Sequence, residues 1–117
     1  MTINTVQLNH TIVAAHDKMP AATFLSEILG LPKPFLLGMF AVVQLNGVTS
    51  LDFIDTEGEI TAQHYAFSVT EAEFDEIFAR IRERHLRYWA DPYRQEPDQI
   101  NTWDGDRGVY FDDPNGH

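Results

Sequence analysis

Two histidines, His10 and His64, stand at matching places in two similar stretches of the chain. Each falls near the start of a short apolar, β-branched run, VQLNHTIVAA around His10 and HYAFSV from His64, and each run leads into an amphipathic helical pattern. Neutral imidazole is the commonest metal-binding side chain, so two strand-borne imidazoles at repeat-equivalent positions suit one shared divalent ion. Adding a carboxylate makes a facial triad that leaves positions open for substrate or oxygen. Asp52, within SLDFI, is the candidate acid, as a ligand or as a catalytic base. A carboxylate between apolar neighbours is costly to bury unless it is paired or metal-bound. Alternation along a strand equally allows Asp52 to face solvent while Leu51 and Phe53 point inward.

Trp103, Arg107 and Tyr110 gather near the last loop and strand, with Tyr88 and Trp89 not far before them. Aromatic rings beside an arginine suit a small anionic or carbonyl-bearing ligand, which makes Trp103, Arg107 and Tyr110 the candidate substrate contacts. Trp89 reads as a core aromatic, and Tyr110 fits either role. His16, at a strand-to-helix junction, and His85, late in a helix where the dipole favours positive charge, read as structural.

These side chains must be placed by a strand over 7–15, a helix over 17–30, an extended apolar run over 35–45, and a strand over 48–55. Pro20 suits a first helical turn and Gly30 a C-terminal cap. Asn46-Gly47 is a hairpin signal. The pattern then restarts with a strand over 64–69 and a helix over 70–87, opened by a Thr70/Glu73 capping box. A short strand over 87–90, a polar loop over 91–106, a strand over 108–112 and a tight Asp-Pro-Asn-Gly turn follow. Strand, helix and strands occur twice, about half a chain apart, which argues for a duplicated unit.

A chain of 117 residues fits one domain. A formal net charge of −10 disfavours nucleic acid and anionic membrane surfaces as partners. The absence of cysteine excludes disulfides, thiolate metal sites and thiol nucleophiles. No basic-then-apolar leader opens the chain and no apolar stretch approaches membrane-spanning length, so a cytoplasmic location is expected. Neither a Gly-rich phosphate loop nor a Gly-x-Ser-x-Gly elbow occurs.

Three stretches, LNHTIVAAHDKMPAATFLSEILGL, QHYAFSVTEAEFDEIFARIRERHL and RGVYFDDPNGH, span nearly the whole chain, and in this order resemble the vicinal oxygen chelate superfamily of glyoxalases, extradiol dioxygenases and bleomycin resistance proteins. The resemblance implies an α+β fold of two βαβββ modules, about 5–57 and 60–117, within a single 1–117 domain. It implies a divalent ion (Fe, Mn, Ni or Zn) held by His10, His64 and a glutamate three residues beyond the position of His117, so the last strand of the second module is expected to be missing. Asp52 corresponds to an additional glutamate ligand of glyoxalase I. Members of this length commonly form homodimers in which His10 of one subunit shares its ion with His64 of the other. Ile12 and Gly108 replace the hydroxyl residues with which fosfomycin enzymes hold their drug. The function implied is a metal-dependent enzyme acting on a small substrate with vicinal oxygens, by lyase, isomerase or dioxygenase chemistry. The alternative is a metal-free, bleomycin-resistance-like binding protein, for which the acidic charge and the aromatic cluster suit a cationic ligand.

Overall fold

The computed structural model describes residues 3–117. The fold is α+β, and the chain divides into two compact units, Met1–Thr61 and Ala62–His117.

In the first unit, β1 (His10–Ala15), α1 (Lys18–Leu29), β2 (Phe35–Leu37), β3 (Phe40–Gln44) and β4 (Ser50–Asp55) follow one another. They form one sheet in the order β1-β4-β3-β2. β1 runs parallel to β4, and the other pairs are antiparallel. Alternation sends Val13, Ala15, Ala41, Val43, Leu51 and Phe53 to one face, where they are buried. Burying a side chain such as Phe53 there contributes roughly 2–3 kcal/mol. Ala21, Ala22, Leu25 and Ile28 of α1 are buried with them. The helix ends as its sequence requires: Gly30 takes φ 72°, and the Leu31 N–H reaches back to the Ser26 carbonyl at 2.8 Å. At its start the Lys18 N–H donates to Asp55 Oδ1 at 2.8 Å, so an acid from the end of β4 serves the positive end of α1.

The apolar run over 35–45 is not one strand. It folds back on itself at Gly38-Met39, where Gly38 adopts φ 58°, and β2 and β3 pair as a hairpin. Only a glycine takes that backbone without strain. The Asn46-Gly47 turn forms where expected, with Asn46 Oδ1 accepting from the Val48 and Thr49 N–H groups at 2.8 Å.

The second unit contains α2 (Glu71–Glu83), β5 (Tyr88–Trp89) and β6 (Tyr110–Phe111), with a 3₁₀ turn at Trp103–Gly105. The capping box at Thr70 and Glu73 is complete in both directions. Phe74, Ile77 and Ile81 are the buried face of α2. β5 and β6 pair antiparallel, with Tyr88 opposite Phe111 and Trp89 opposite Tyr110. The strand expected over 64–69 forms no ladder among the described residues. A strand exists only with a neighbour to take its hydrogen bonds. This segment is tied instead by side chains. The Gln63 N–H donates to His117 Nδ1 at 3.0 Å, and the Tyr65 and His117 rings meet edge to face at 6.0 Å.

Candidate functional site

In the first unit the face of the sheet turned away from α1 carries two of the candidate residues, His10 and Asp52. The β1–β4 register sets His10 beside Ser50 and Ile12 beside Asp52. His10 and Asp52 are thus diagonal neighbours on one face, about 7–8 Å apart at the backbone. The structure reconciles the two readings of Asp52: Leu51 and Phe53 point into the core, and the face opposite is the one His10 occupies. Asp52 is half-buried and accepts a hydrogen bond from the Ser50 hydroxyl at 2.9 Å. Apolar side chains surround the pair, and Ile12, Phe35 and Leu37 remain 48–62% exposed.

His10 is exposed, and its Nδ1 lies 2.7 Å from Asn9 Oδ1. A carbonyl oxygen only accepts, so this contact suits the tautomer protonated on Nδ1, in which the lone pair is on Nε2. Imidazoles that ligate metals are commonly oriented in this way. Asn9 had no signal in the sequence beyond its adjacency to His10.

The second unit gathers three of the sequence-predicted residues. The His64 and Tyr110 rings are 5.9 Å apart, and Tyr110 and Trp103 are 6.3 Å apart. His64 and Trp103 are exposed, and Tyr110 is half-buried. The 3₁₀ turn places Trp103, and the β5–β6 ladder places Tyr110. His64 is held through its neighbours: His117 takes the Gln63 N–H on one side, and Tyr65 packs on His117 on the other. Burial first, and then the negative charge of Asp113, push the Tyr65 phenol above its ordinary pKa. Asp113 organises the closing turn, accepting from the Asn115 and His117 N–H groups at 2.9 and 2.8 Å. This positioning role of His117 was not read from the sequence.

Arg107 is engaged elsewhere. Its guanidinium contacts Glu71 Oε2 at 2.6 Å and Asp75 Oδ1 at 2.9 Å, both on α2, and lies 4.5 Å from the centre of the Phe74 ring. Hydrogen bonds to Asp75 and then Glu71 push its pKa up, so it is a fixed cation already matched by two carboxylates. Among the described residues no group of three or more His, Cys, Asp or Glu side chains is arranged to hold an ion, so the donors available to a metal are the individual imidazoles. Their type suits a first-row divalent ion. No helix among the described residues is long and apolar enough to cross a membrane.

No family model matches the chain. Solved structures do. The oxidase ChaP-H1 is 56% identical, with a TM-score of 0.94 over 97% of this chain and 91% of that one. The oxidase ChaP-H2 is 59% identical, with the same TM-score over 97% of this chain and 90% of that one. Lactoylglutathione lyase from Agrobacterium tumefaciens shares the fold at a TM-score of 0.67 and 20% identity, over 99% and 91% of the two chains.

Proposed function

The chain belongs to the vicinal oxygen chelate superfamily, and from that premise we propose that it is a metal-dependent enzyme in which His10 and His64 supply imidazole ligands to a divalent ion. Oxidation of a small substrate with vicinal oxygens, with dioxygen as the electron acceptor, is favoured over lyase chemistry. The oxidases are 56% and 59% identical to this chain, whereas the lyase, at 20%, shares the fold alone.

The observation that carries the reading is the contact of His10 Nδ1 with Asn9 Oδ1 at 2.7 Å, on an open sheet face shared with Asp52. In the tautomer that suits this contact, Nε2 is the atom left to bind a metal. His10 and His64 would hold the ion, which when bound would supply Lewis acidity to the vicinal oxygens of the substrate. Asp52 would accept the proton that the substrate loses on oxidation and pass it to the reduced oxygen or to solvent, with the Ser50 hydroxyl fixing the rotation of its carboxylate. Tyr110 and Trp103 present ring faces and edges beside His64 for an apolar or aromatic part of the substrate. The reading includes a homodimer whose second copy covers Ile12, Phe35 and Leu37, since exposed apolar side chains of this kind mark interaction surfaces.

Calorimetric titration of the purified protein with Fe, Mn, Ni and Zn ions tests the proposal. Binding is expected for at least one ion, weakened more than about tenfold by Asn9→Ala, as for other groups that orient a ligating histidine, and abolished by His10→Ala and by His64→Ala. Binding that survives both histidine substitutions overturns His10 and His64 as the ligands, and no binding at all overturns the enzyme reading in favour of a metal-free binding protein. Light scattering that shows a monomer with metal still bound removes the dimer.

A further inference from the structure

Cations are scarce in this protein, eight Lys and Arg against eighteen Asp and Glu. Two of the eight nevertheless lie over one ring. The guanidiniums of Arg87 and Arg94 are 5.1 and 5.2 Å from the centre of the Trp89 indole. With Leu86 and Asp112 these three side chains line a surface pocket of about 210 Å³ within the second unit. Their charges are not equivalent. Arg94 donates to both carboxylate oxygens of Asp112, at 2.7 and 2.6 Å, and the two neutralise each other. Among the described residues no carboxylate pairs with Arg87, which leaves the pocket with one uncompensated positive charge. The planar guanidinium presents several N–H donors in its own plane, a geometry that matches a carboxylate.

The pocket adjoins the candidate site. Tyr88 packs its ring on Phe78 of α2 at 5.1 Å, so alternation turns Trp89 to the opposite face. Tyr110 is the cross-strand partner of Trp89, which sets the two side chains on that same face roughly 5 Å apart. From Tyr110 the next ring is His64. At about 210 Å³ the pocket is smaller than the roughly 300–1,000 Å³ that encloses a whole drug-sized ligand, so it fits one end of a molecule.

We propose that Arg87, set over Trp89, is the anion-recognising residue of this protein, and that its substrate carries a carboxylate or similarly flat anionic group at the end remote from His64. This deepens the enzymatic reading and rests on it for the word substrate, but the binding itself does not depend on a metal. It assigns to Arg87 the role that the sequence pattern suggested for Arg107, whose guanidinium already serves Glu71 and Asp75.

Benzoate and its uncharged analogue benzamide are suitable probes, followed by tryptophan fluorescence and calorimetry on the intact chain before and after addition of divalent ion. Wild type is expected to bind benzoate more tightly than benzamide. Arg87→Gln should weaken benzoate about tenfold or more, the usual size of a lost hydrogen bond to a charged group, and leave benzamide unchanged. Arg87→Met keeps a long stem over Trp89 and serves if the glutamine variant loses its near-UV circular dichroism. Arg107→Gln and His64→Ala should retain the preference for benzoate, so failure of the metal reading leaves this result standing. Equal affinity of wild type for the two probes, an unchanged preference in a folded Arg87 variant, or an equal loss in Arg107→Gln overturns the proposal.

Discussion

Gly108 offers the sharpest test of the packing that holds the loop bearing Trp103. Its N–H and carbonyl exchange hydrogen bonds with Asn101 at 3.0 and 2.9 Å, forming an isolated bridge. A methyl group added at Gly108 would lie 2.9 Å from Asn101 Oδ1, 3.0 Å from Nδ2 and 3.2 Å from Cγ. The Asn101 side chain cannot swing aside freely. It is buried, Nδ2 donates to the Ala90 carbonyl at 2.8 Å, and Oδ1 accepts from the Trp103 N–H at 3.3 Å. Relieving the contact breaks the first of these bonds, which costs about 1–3 kcal/mol when a buried partner is left unpaired. Overpacking without relief costs a similar amount. Gly108→Ala should therefore destabilise the protein by about 2 kcal/mol, read as a lower urea midpoint at unchanged slope. A double-mutant cycle isolates the cause. Asn101→Ala alone loses the Ala90 bond and is itself destabilising, but it opens the space the new methyl needs, so adding Gly108→Ala to it should cost less than about 0.5 kcal/mol. Additive effects, or a Gly108→Ala variant within about 0.5 kcal/mol of wild type, refute the steric argument.

Two further outcomes are expected from the ends of α2. His85 sits just past the helix at φ 56°, with the Leu86 N–H bonded to the Ile81 carbonyl at 3.1 Å, a position that favours glycine. His85→Gly should raise stability by about 0.5–1 kcal/mol in thermal or urea unfolding, and a destabilised variant would mean that the imidazole contributes more than the backbone strain removes. At the other end, hydrogen bonds from the Thr70 N–H, and then from its side chain, hold the Glu73 carboxyl below its ordinary pKa. A depressed carboxylate pKa stabilises the fold above the unfolded-state value, and that contribution is lost as pH falls through the folded value. Thr70→Ala should cost about 1 kcal/mol at neutral pH as a lost N-cap and shift the Glu73 titration, followed by NMR, upward; an unmoved titration contradicts the capping account.

Local chemistry was legible in the sequence because its causes are local. The capping box at Thr70 and Glu73, the αL glycine at Gly30 and the Asn46-Gly47 turn each depend on a few neighbouring residues, and each forms as expected. The split of the 35–45 run also had a local signal in Gly38, but a single glycine in an apolar stretch does not distinguish a turn from a weak point in a strand. The stretch 64–69 shows the opposite case. Its composition suits a strand, yet composition cannot supply the neighbouring backbone that a ladder needs, and side-chain ties from His117 hold it instead.

The candidate site divides along the same line. Alternation alone left Asp52 with two readings, as an acid of the site or as a solvent-facing residue. The parallel register with β1 dissolves the contrast, because the solvent-facing side is where His10 projects. The arginines show what spacing cannot decide. Arg87 and Arg107 both lie close in sequence to aromatic residues, and from that alone either one suits an anion. What separates them is Glu71 and Asp75, one turn apart on α2 and more than thirty residues before Arg107, which together meet its charge. A cation with two carboxylates at 2.6 and 2.9 Å has its donors occupied, and an incoming anion would have to displace them against repulsion from both acids. Arg87 asks for no such exchange, since its guanidinium rests on a ring. In so acidic a protein the choice between these two arginines is therefore decided by which of them the fold leaves without a carboxylate partner, and that is a property of tertiary pairing rather than of sequence neighbourhood.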